Sequence, residues 1–286
     1  MDIRKAMCSL SEICYFHDAR IVALAHDYES IRAFVCDESA RAILPDRHEG
    51  FPVKIHYVSG FFNSLFFDDY EVLNTRGITR PVMGGVSIGV LGKRIAGTLA
   101  FPAYTTSDLP VIVSASHVIA DEGKAPAGTQ IIQPSMIDGG NENNIIGSLY
   151  YGTSIHYSTA NLVDGAVALL NSNIPYSNSV LGVGRINGEV EPHVGMYVKK
   201  VGRTTYLTEG RILAVDGMVK VSGYHRGTAI LSDQIITTTY SQPGDSGAPV
   251  LDRNNNMVGM LIATGFFYSV ITPISNIKSS LSIKLY

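Results

Sequence analysis

From Pro81 onward the sequence is cut into short β-branched runs by Gly, Asp-Gly, Asn-Gly and Pro at close, regular intervals. Val86–Val90, Val111–Ala115, Ala166–Leu170, Tyr197–Val201 and Val258–Ile262 are examples. Such punctuation leaves no room for long helices and directs the chain to a mainly β architecture of many short strands. Composition agrees: 28 of 286 residues are Gly and only 16% are charged, against about a quarter in an average soluble domain. Hydrophobic residues make up 45%, enough for a sizeable core, so disorder is excluded as the chain's main character. Asp216-Gly217, between the runs Ile212–Val215 and Met218–Val221, is expected to form a hairpin turn, because a type I′ turn needs positive φ at both central residues.

The first 78 residues differ. Ile3, Met7, Leu10 and Cys14 recur at helical spacing, and Ile31, Ala33, Val35 and then Val53, Ile55, Tyr57 alternate as strands do. A small α+β N-terminal domain over residues 1–78 is expected, followed by a second domain over 79–286. The polar, Gly- and Pro-containing stretch from Asn74 to Pro81 is the linker candidate. Acidic residues outnumber basic ones 12 to 8 in the first part, whereas the second is nearly balanced.

A net charge of −3 offers no excess of positive charge for a phosphate backbone, so nucleic acid is not an expected partner. No segment approaches the apolar length of a membrane span, and the N-terminus lacks the pattern of a signal peptide. The three cysteines, Cys8, Cys14 and Cys36, indicate neither a disulfide framework nor a metal site. A cytoplasmic protein with no cofactor, no metal and no membrane partner is therefore expected. Asp252–Asn256 imitates a calcium loop, but Met257 stands where that loop needs Gly, so it reads as a hairpin turn.

Chemistry concentrates in Gln242-Pro-Gly-Asp-Ser-Gly-Ala-Pro-Val250. Acyl transfer needs an exposed hydroxyl on a tight turn, with backbone N–H groups aimed at the developing oxyanion. Gly244 and Gly247 permit that path, so the N–H groups of Gly244 and Ser246 could converge on one oxygen. His117 follows an apolar strand and small residues, as an imidazole projecting into a cleft would. Asp164 is an acid among apolar residues and needs a polar partner. Taken singly, each has a plain structural reading: a surface turn, a packing histidine, a carboxylate capped by backbone N–H groups. Asp121, close after His117, is read as starting a short helix or binding water. The order His117, Asp164, Ser246 is that of chymotrypsin-like enzymes rather than of subtilisins or α/β-hydrolases.

With Gly84–Gly89, Gln133–Gly139, Asp164–Val167, Val201–Gly210 and Gly244–Pro249, the chain resembles the trypsin-like (chymotrypsin-fold, PA clan) serine peptidases, and among them a bacterial and plant group that includes the narrow-leaf proteins. The resemblance implies two antiparallel six-stranded β-barrels dividing near residues 180–195, with the site between them. It implies a serine endopeptidase acting on protein or peptide substrates, with Ser246 as nucleophile, His117 as base, Asp164 as its orienter, and Gly244 and Ser246 as oxyanion hole. The substrate pocket would be lined by Tyr240, Ala263, Thr264 and Gly265; none is acidic, so a small or apolar side chain is the expected preference. Val201-Gly-Arg-Thr-Thr205 would be a strand and turn of the second barrel. Two departures stand out: the histidine motif lacks its usual cysteine, and no activation sequence supplies the new N-terminus that pairs with the counterpart of Asp245 in secreted zymogens. A silent trypsin-like fold serving as a binding or regulatory module is the alternative reading.

Overall fold

The computed structural model describes residues 2–15, 18, 20–57, 74–265 and 268–285, with the backbone alone at 14 and 15. Two rings of antiparallel strands form its body. In the first, Ser87–Val90 pairs with Gly97–Thr98, whose chain runs on as Phe101–Thr105; the ring continues through Pro110–Ser114, Ala166–Leu170, Ile145–Gly152 and Gln130–Ile132 and returns to Ser87–Val90. In the second, Tyr197–Gly202, Pro249–Leu251, Asn256–Thr264, Ser269–Pro273, Gly227–Thr237 and Tyr206–Tyr224 follow one another, and the last pairs again with the first. Closure removes the exposed edges that short apolar strands would otherwise present. The interiors are filled by the β-branched runs: Val111, Ile112, Val113, Val167 and Ala168 are wholly buried in one barrel, Val198, Ile235, Val250 and Val258 in the other. The helix Ile274–Leu281 then carries the C-terminus back to the first barrel, where Ile283 pairs with Thr105.

The strand Tyr206–Tyr224 is 19 residues long because one of its edges serves two partners in succession. Residues 206–211 pair with Tyr197–Gly202, whereas Val215, Met218 and Val219 pair with His26, Leu24 and Ala23 of the strand Ile21–His26. Ile31–Val35 adds antiparallel to that strand, and Phe51–Tyr57 adds parallel to Ile31–Val35, so residues 21–57 extend the second barrel's sheet. The helix Ile3–Leu10 covers this extension with Ile3, Ala6, Met7 and Leu10, the face expected from their spacing. Cys14, the next member of that stripe, has its side chain outside the described residues.

Asp216-Gly217 does not turn the chain. It forms a β-bulge, with Asp216 at φ +52° and one extra residue opposite Gln234–Ile236. The conformation that would have served a turn is used to bend the strand, and the bulge aims the Asp216 carboxylate at His26 Nε2 (2.7 Å) and Arg4 Nε (2.8 Å). The hairpin falls later, where Tyr224 pairs with Gly227. The segment 74–81, read as a linker, is fastened along both barrels: buried Thr75 donates to the Arg203 carbonyl (2.9 Å), and the Gln133 side chain bonds Gly77 and Thr79. Asp252 accepts from the N–H groups of Asn254 and Asn256, the expected turn. Among the described residues, no helix is long and apolar enough to cross a membrane.

Leu24 is fully buried where the extension meets the barrel strand. Leu24→Ala is expected to cost about 2–5 kcal/mol in urea unfolding, since the cavity would open in the cluster between this sheet and the helix Ile3–Leu10.

Candidate active site

His117 and Asp164 are brought together by neighbouring strands. Ser114, three residues before His117, pairs with Ala166, two residues after Asp164. Thr153 fixes the loop before that strand by exchanging bonds with the backbone of Gly165. Asp164 is wholly buried, and its charge is met by three donors: the His117 N–H (3.0 Å) on one oxygen, His117 Nδ1 (2.5 Å) and the Tyr224 hydroxyl (2.8 Å) on the other. Burial alone would raise its pKa, yet His117 and these hydrogen bonds hold it below the ordinary carboxylate value. The acceptor is therefore a carboxylate, which places the proton on His117 Nδ1 and leaves Nε2 as the free base. Burial likewise opposes the imidazolium of His117, but the charge and hydrogen bond of Asp164 outweigh it and raise the pKa above 6.5.

Ser246 lies where the two barrels touch. The Thr98 N–H of the first barrel donates to the Ser246 carbonyl (2.8 Å), and a Cβ on Gly97 would meet Val118 at 2.5 Å, so the helix carrying His117 and the serine turn press on the same strand. The Ser246 hydroxyl donates to the Ile262 carbonyl at 3.2 Å; among the described residues no hydrogen bond joins it to His117. Histidine and aspartate are thus hydrogen-bonded to each other, and the serine hydroxyl is bonded to a carbonyl of its own barrel.

The turn around Ser246 has its carbonyls tied back. Thr204 Oγ1 donates to the Pro243 carbonyl (2.9 Å), Thr98 Oγ1 to that of Gly244 (2.9 Å), and the Ala248 N–H to that of Asp245 (2.8 Å). In a planar trans peptide the N–H points opposite to the C=O, so fixing the Pro243 and Asp245 carbonyls also fixes the N–H groups of Gly244 and Ser246. Among the described residues neither N–H has an acceptor. Gly244 has φ +101°, and a Cβ there would lie 2.4 Å from Thr204 Oγ1; only glycine fits.

Asp245 holds this turn from below. It is fully buried and accepts from the N–H groups of Thr204 (2.8 Å), Thr205 (3.1 Å) and Gln242 (3.0 Å) and from the Thr205 hydroxyl (2.6 Å). Lys200, also fully buried, lies 3.5 Å away and donates to Thr205 and to the Tyr206 carbonyl. Burial depresses Lys200 to about 8 despite the neighbouring carboxylate. Asp245 thus has an internal partner. Val201–Thr205 supplies it: Gly202 leaves room for the Asp245 carboxylate, Thr204 and Thr205 bond it, and Arg203 makes a bidentate pair with Asp138 of the first barrel (2.6 Å each).

The residues expected to line a pocket lie on the two segments that flank the serine turn in the sheet. Ala263 follows the carbonyl that receives the serine hydroxyl, Thr264 Oγ1 donates to the Ser241 carbonyl (2.7 Å), and Tyr240 is half-exposed. The Gly265 N–H donates to the Tyr268 carbonyl (2.7 Å); Phe266 and Phe267, from the same segment, lie outside the described residues. Asp121 is turned away, pairing with His225 (2.5 Å) and Lys93 (3.0 Å). Among the described residues no group of three or more His, Cys, Asp or Glu could hold a metal.

A family model described as a trypsin-like peptidase domain matches residues 103–260, more than half of the sequence. The chain belongs to the trypsin-like peptidase family. Among curated proteins, none is significantly similar to it in sequence. Solved structures of similar fold include a glutamic acid-specific serine protease that uses a histidine triad in substrate binding (23% identity, TM-score 0.55, 72% of this chain and 100% of that one). Protease A of Thermobifida fusca (20%, 0.53, 71% and 97%) and the Nocardiopsis protease (22%, 0.53, 71% and 97%) are others. At these identities the likeness establishes the chymotrypsin-like fold of this trypsin-like peptidase chain.

Sequence reading missed Tyr224, Thr98 and Lys200. A lysine inside the apolar run Tyr197–Val201 was a usable signal, since a buried cation requires a partner; nothing in the sequence links Tyr224 to an acid 60 positions earlier.

Two outcomes follow from this geometry. Lys200→Met leaves the Asp245 carboxylate buried without its cation and is expected to cost about 3–5 kcal/mol in denaturant melts, with the double variant that adds Asp245→Asn recovering part of the loss. Because His117 is raised, protonation blocks Nε2 as a base below a midpoint above 6.5, so the rate of Ser246 modification by a fluorophosphonate should fall along an acid limb centred there. The linked stability has the opposite sense, being fully present below the ordinary imidazole value and lost as pH rises through the raised one.

Proposed function

We propose that this trypsin-like peptidase is a serine endopeptidase that cleaves proteins through an acyl-enzyme on Ser246. One observation supports the reading: His117 is hydrogen-bonded through Nδ1 to a buried carboxylate, and the N–H groups of Gly244 and Ser246 have no acceptor among the described residues. In the proposed cycle the Ser246 hydroxyl leaves the Ile262 carbonyl and gives its proton to His117 Nε2 as its oxygen attacks the scissile carbonyl. The N–H groups of Gly244 and Ser246 receive the oxyanion, each such donor being worth about 10²–10³ in rate. His117 then protonates the leaving amine, and water, activated by the same imidazole, releases the acyl group. Asp164 keeps its negative charge throughout and stabilises the imidazolium. A silent binding module has no use for a base and two aimed N–H groups on one serine, so the hydrolytic reading is favoured.

Substrates are proposed to be intracellular proteins, entering with a small or apolar side chain against Tyr240, Ala263, Thr264 and Gly265. The N-terminal domain, residues 1–78, is proposed to regulate the site, its described strands doing so by supporting it. Their strands extend Tyr206–Tyr224, and the Phe34 ring packs edge-on against Tyr268 (5.1 Å) at the end of the pocket segment.

A peptide-library digest tests the reading. Cleavage after small or apolar residues is expected, abolished in Ser246→Ala and reduced about 10⁴-fold in Asp164→Asn. Strict cleavage after Arg or Lys would contradict the pocket assignment, and cleavage that survives Ser246→Ala would contradict the mechanism.

A further inference from the structure

The second barrel reaches across the cleft to the buried acid of the first. We propose that Tyr224 is a positioning residue of the triad, a phenol delivered by the Tyr224–Gly227 hairpin that sets the orientation and the effective charge of Asp164, and through it the basicity of His117. The inference rests on the reading of Ser246, His117 and Asp164 given above.

Three observations support it. First, the Tyr224 hydroxyl donates to Asp164 Oδ2 at 2.8 Å, the same oxygen that receives His117 Nδ1, while its ring meets the imidazole edge-on at 5.9 Å and 81°. Asp164 is sealed from solvent, so no water can replace this donor, and a buried carboxylate oxygen left with fewer donors turns toward those that remain. Second, the phenol stays a donor: burial and the adjacent carboxylate both raise its pKa, so it keeps its proton through the working range.

Third, the hairpin tip is gripped on the side where it must be accurate. The His225 N–H donates to Glu122 Oε1 (2.6 Å), the Tyr157 hydroxyl to Glu122 Oε2 (2.6 Å), and the Arg226 N–H to the Tyr157 oxygen (3.2 Å). His225 Nε2 also lies 2.5 Å from Asp121, which Lys93 pairs from the other side. Asp121 and Glu122 form the left-handed turn that immediately follows the helix bearing His117. The hairpin is thus bolted to the exit of the catalytic helix and pushes one phenol inward to the acid. Farther down, the same strand is paired with Ile21–His26, which extends the support beyond the barrel.

A hydrogen bond to a carboxylate withdraws part of its charge, and an acid with less charge stabilises an imidazolium less. Tyr224 therefore sets the pH at which His117 becomes a base, besides holding Asp164 in line. The test uses the full chain and the pseudo-first-order rate of Ser246 phosphonylation by a fluorophosphonate probe, followed from pH 5 to 8. Tyr224→Phe keeps the ring and is expected to lower the plateau rate roughly tenfold, the value of one charge-assisted hydrogen bond, and to move the acid midpoint upward. Site-specific 3-fluorotyrosine at 224, a stronger donor of nearly the same shape, is expected to move the midpoint downward. Tyr197→Phe, which removes a hydroxyl bonded to Glu209 outside this network, should leave the midpoint in place. A wild-type rate and midpoint in Tyr224→Phe would overturn the proposal. If that variant does not fold, the fluorotyrosine protein decides, an unchanged midpoint overturning it and a downward shift supporting it. Failure of the wild-type chain to react would instead remove the serine hydrolase reading on which the proposal stands.

Discussion

A carboxylate sealed from water must be answered by donors or a cation, and Asp245 is answered by both. Its ligands come from the segment Lys200–Thr205 and from the Gln242 N–H of its own turn, and it sits next to Ser246, so pairing this acid and shaping the serine turn are a single event. Without that pair the chain would bury an uncompensated charge beneath the Ser246 turn. With it, the turn is held by hydrogen bonds on the Pro243, Gly244 and Asp245 carbonyls. Gly202 and Gly244 are glycines because the Asp245 carboxylate and Thr204 occupy the space a Cβ would take.

The second demand is that two barrels built separately agree on the position of a few atoms. Cross-barrel ties concentrate around the site: Thr98 grips the serine turn, Arg203 pairs with Asp138, and the Tyr224 hairpin grips Asp164 and Glu122. The last two link a buried charge on one side to donors or a counter-charge on the other, and the first pairs backbone carbonyls, so a shift of either barrel would leave an unpaired polar group. Directional bonds of this kind fix register more strictly than apolar contact, which is tolerant of sliding. The N-terminal strands enter the same scheme by lengthening the strand that ends in Tyr224.

What could be read from the sequence was whatever depends on local pattern. Alternating β-branched runs announced the strands, the helical spacing of Ile3, Met7 and Leu10 announced their common face, and Gly-Asp-Ser-Gly announced a turn with positive φ. The order of His117, Asp164 and Ser246 pointed to residues of which the first two are hydrogen-bonded in the fold. Long-range partnership was not legible. Asp216-Gly217 has the composition of a turn and becomes a bulge, because Ile21–His26, nearly 200 positions earlier, pairs across it. The stretch 74–81 has the composition of a linker and is held by Gln133 and Arg203, neither of which its own sequence foretells. The Ser246 hydroxyl, turned to the Ile262 carbonyl, is a rotamer state that no motif encodes.

The proposed hydrolase requires the intact chain to fold with a working nucleophile and a preformed oxyanion site. Intact-mass analysis of full-length protein after exposure to a fluorophosphonate tests this directly. One phosphonyl group per uncut chain, mapped to Ser246 and absent from Ser246→Ala, is the predicted result. Modification that appears only after the chain has been cleaved, or none at all in the folded protein, would contradict it.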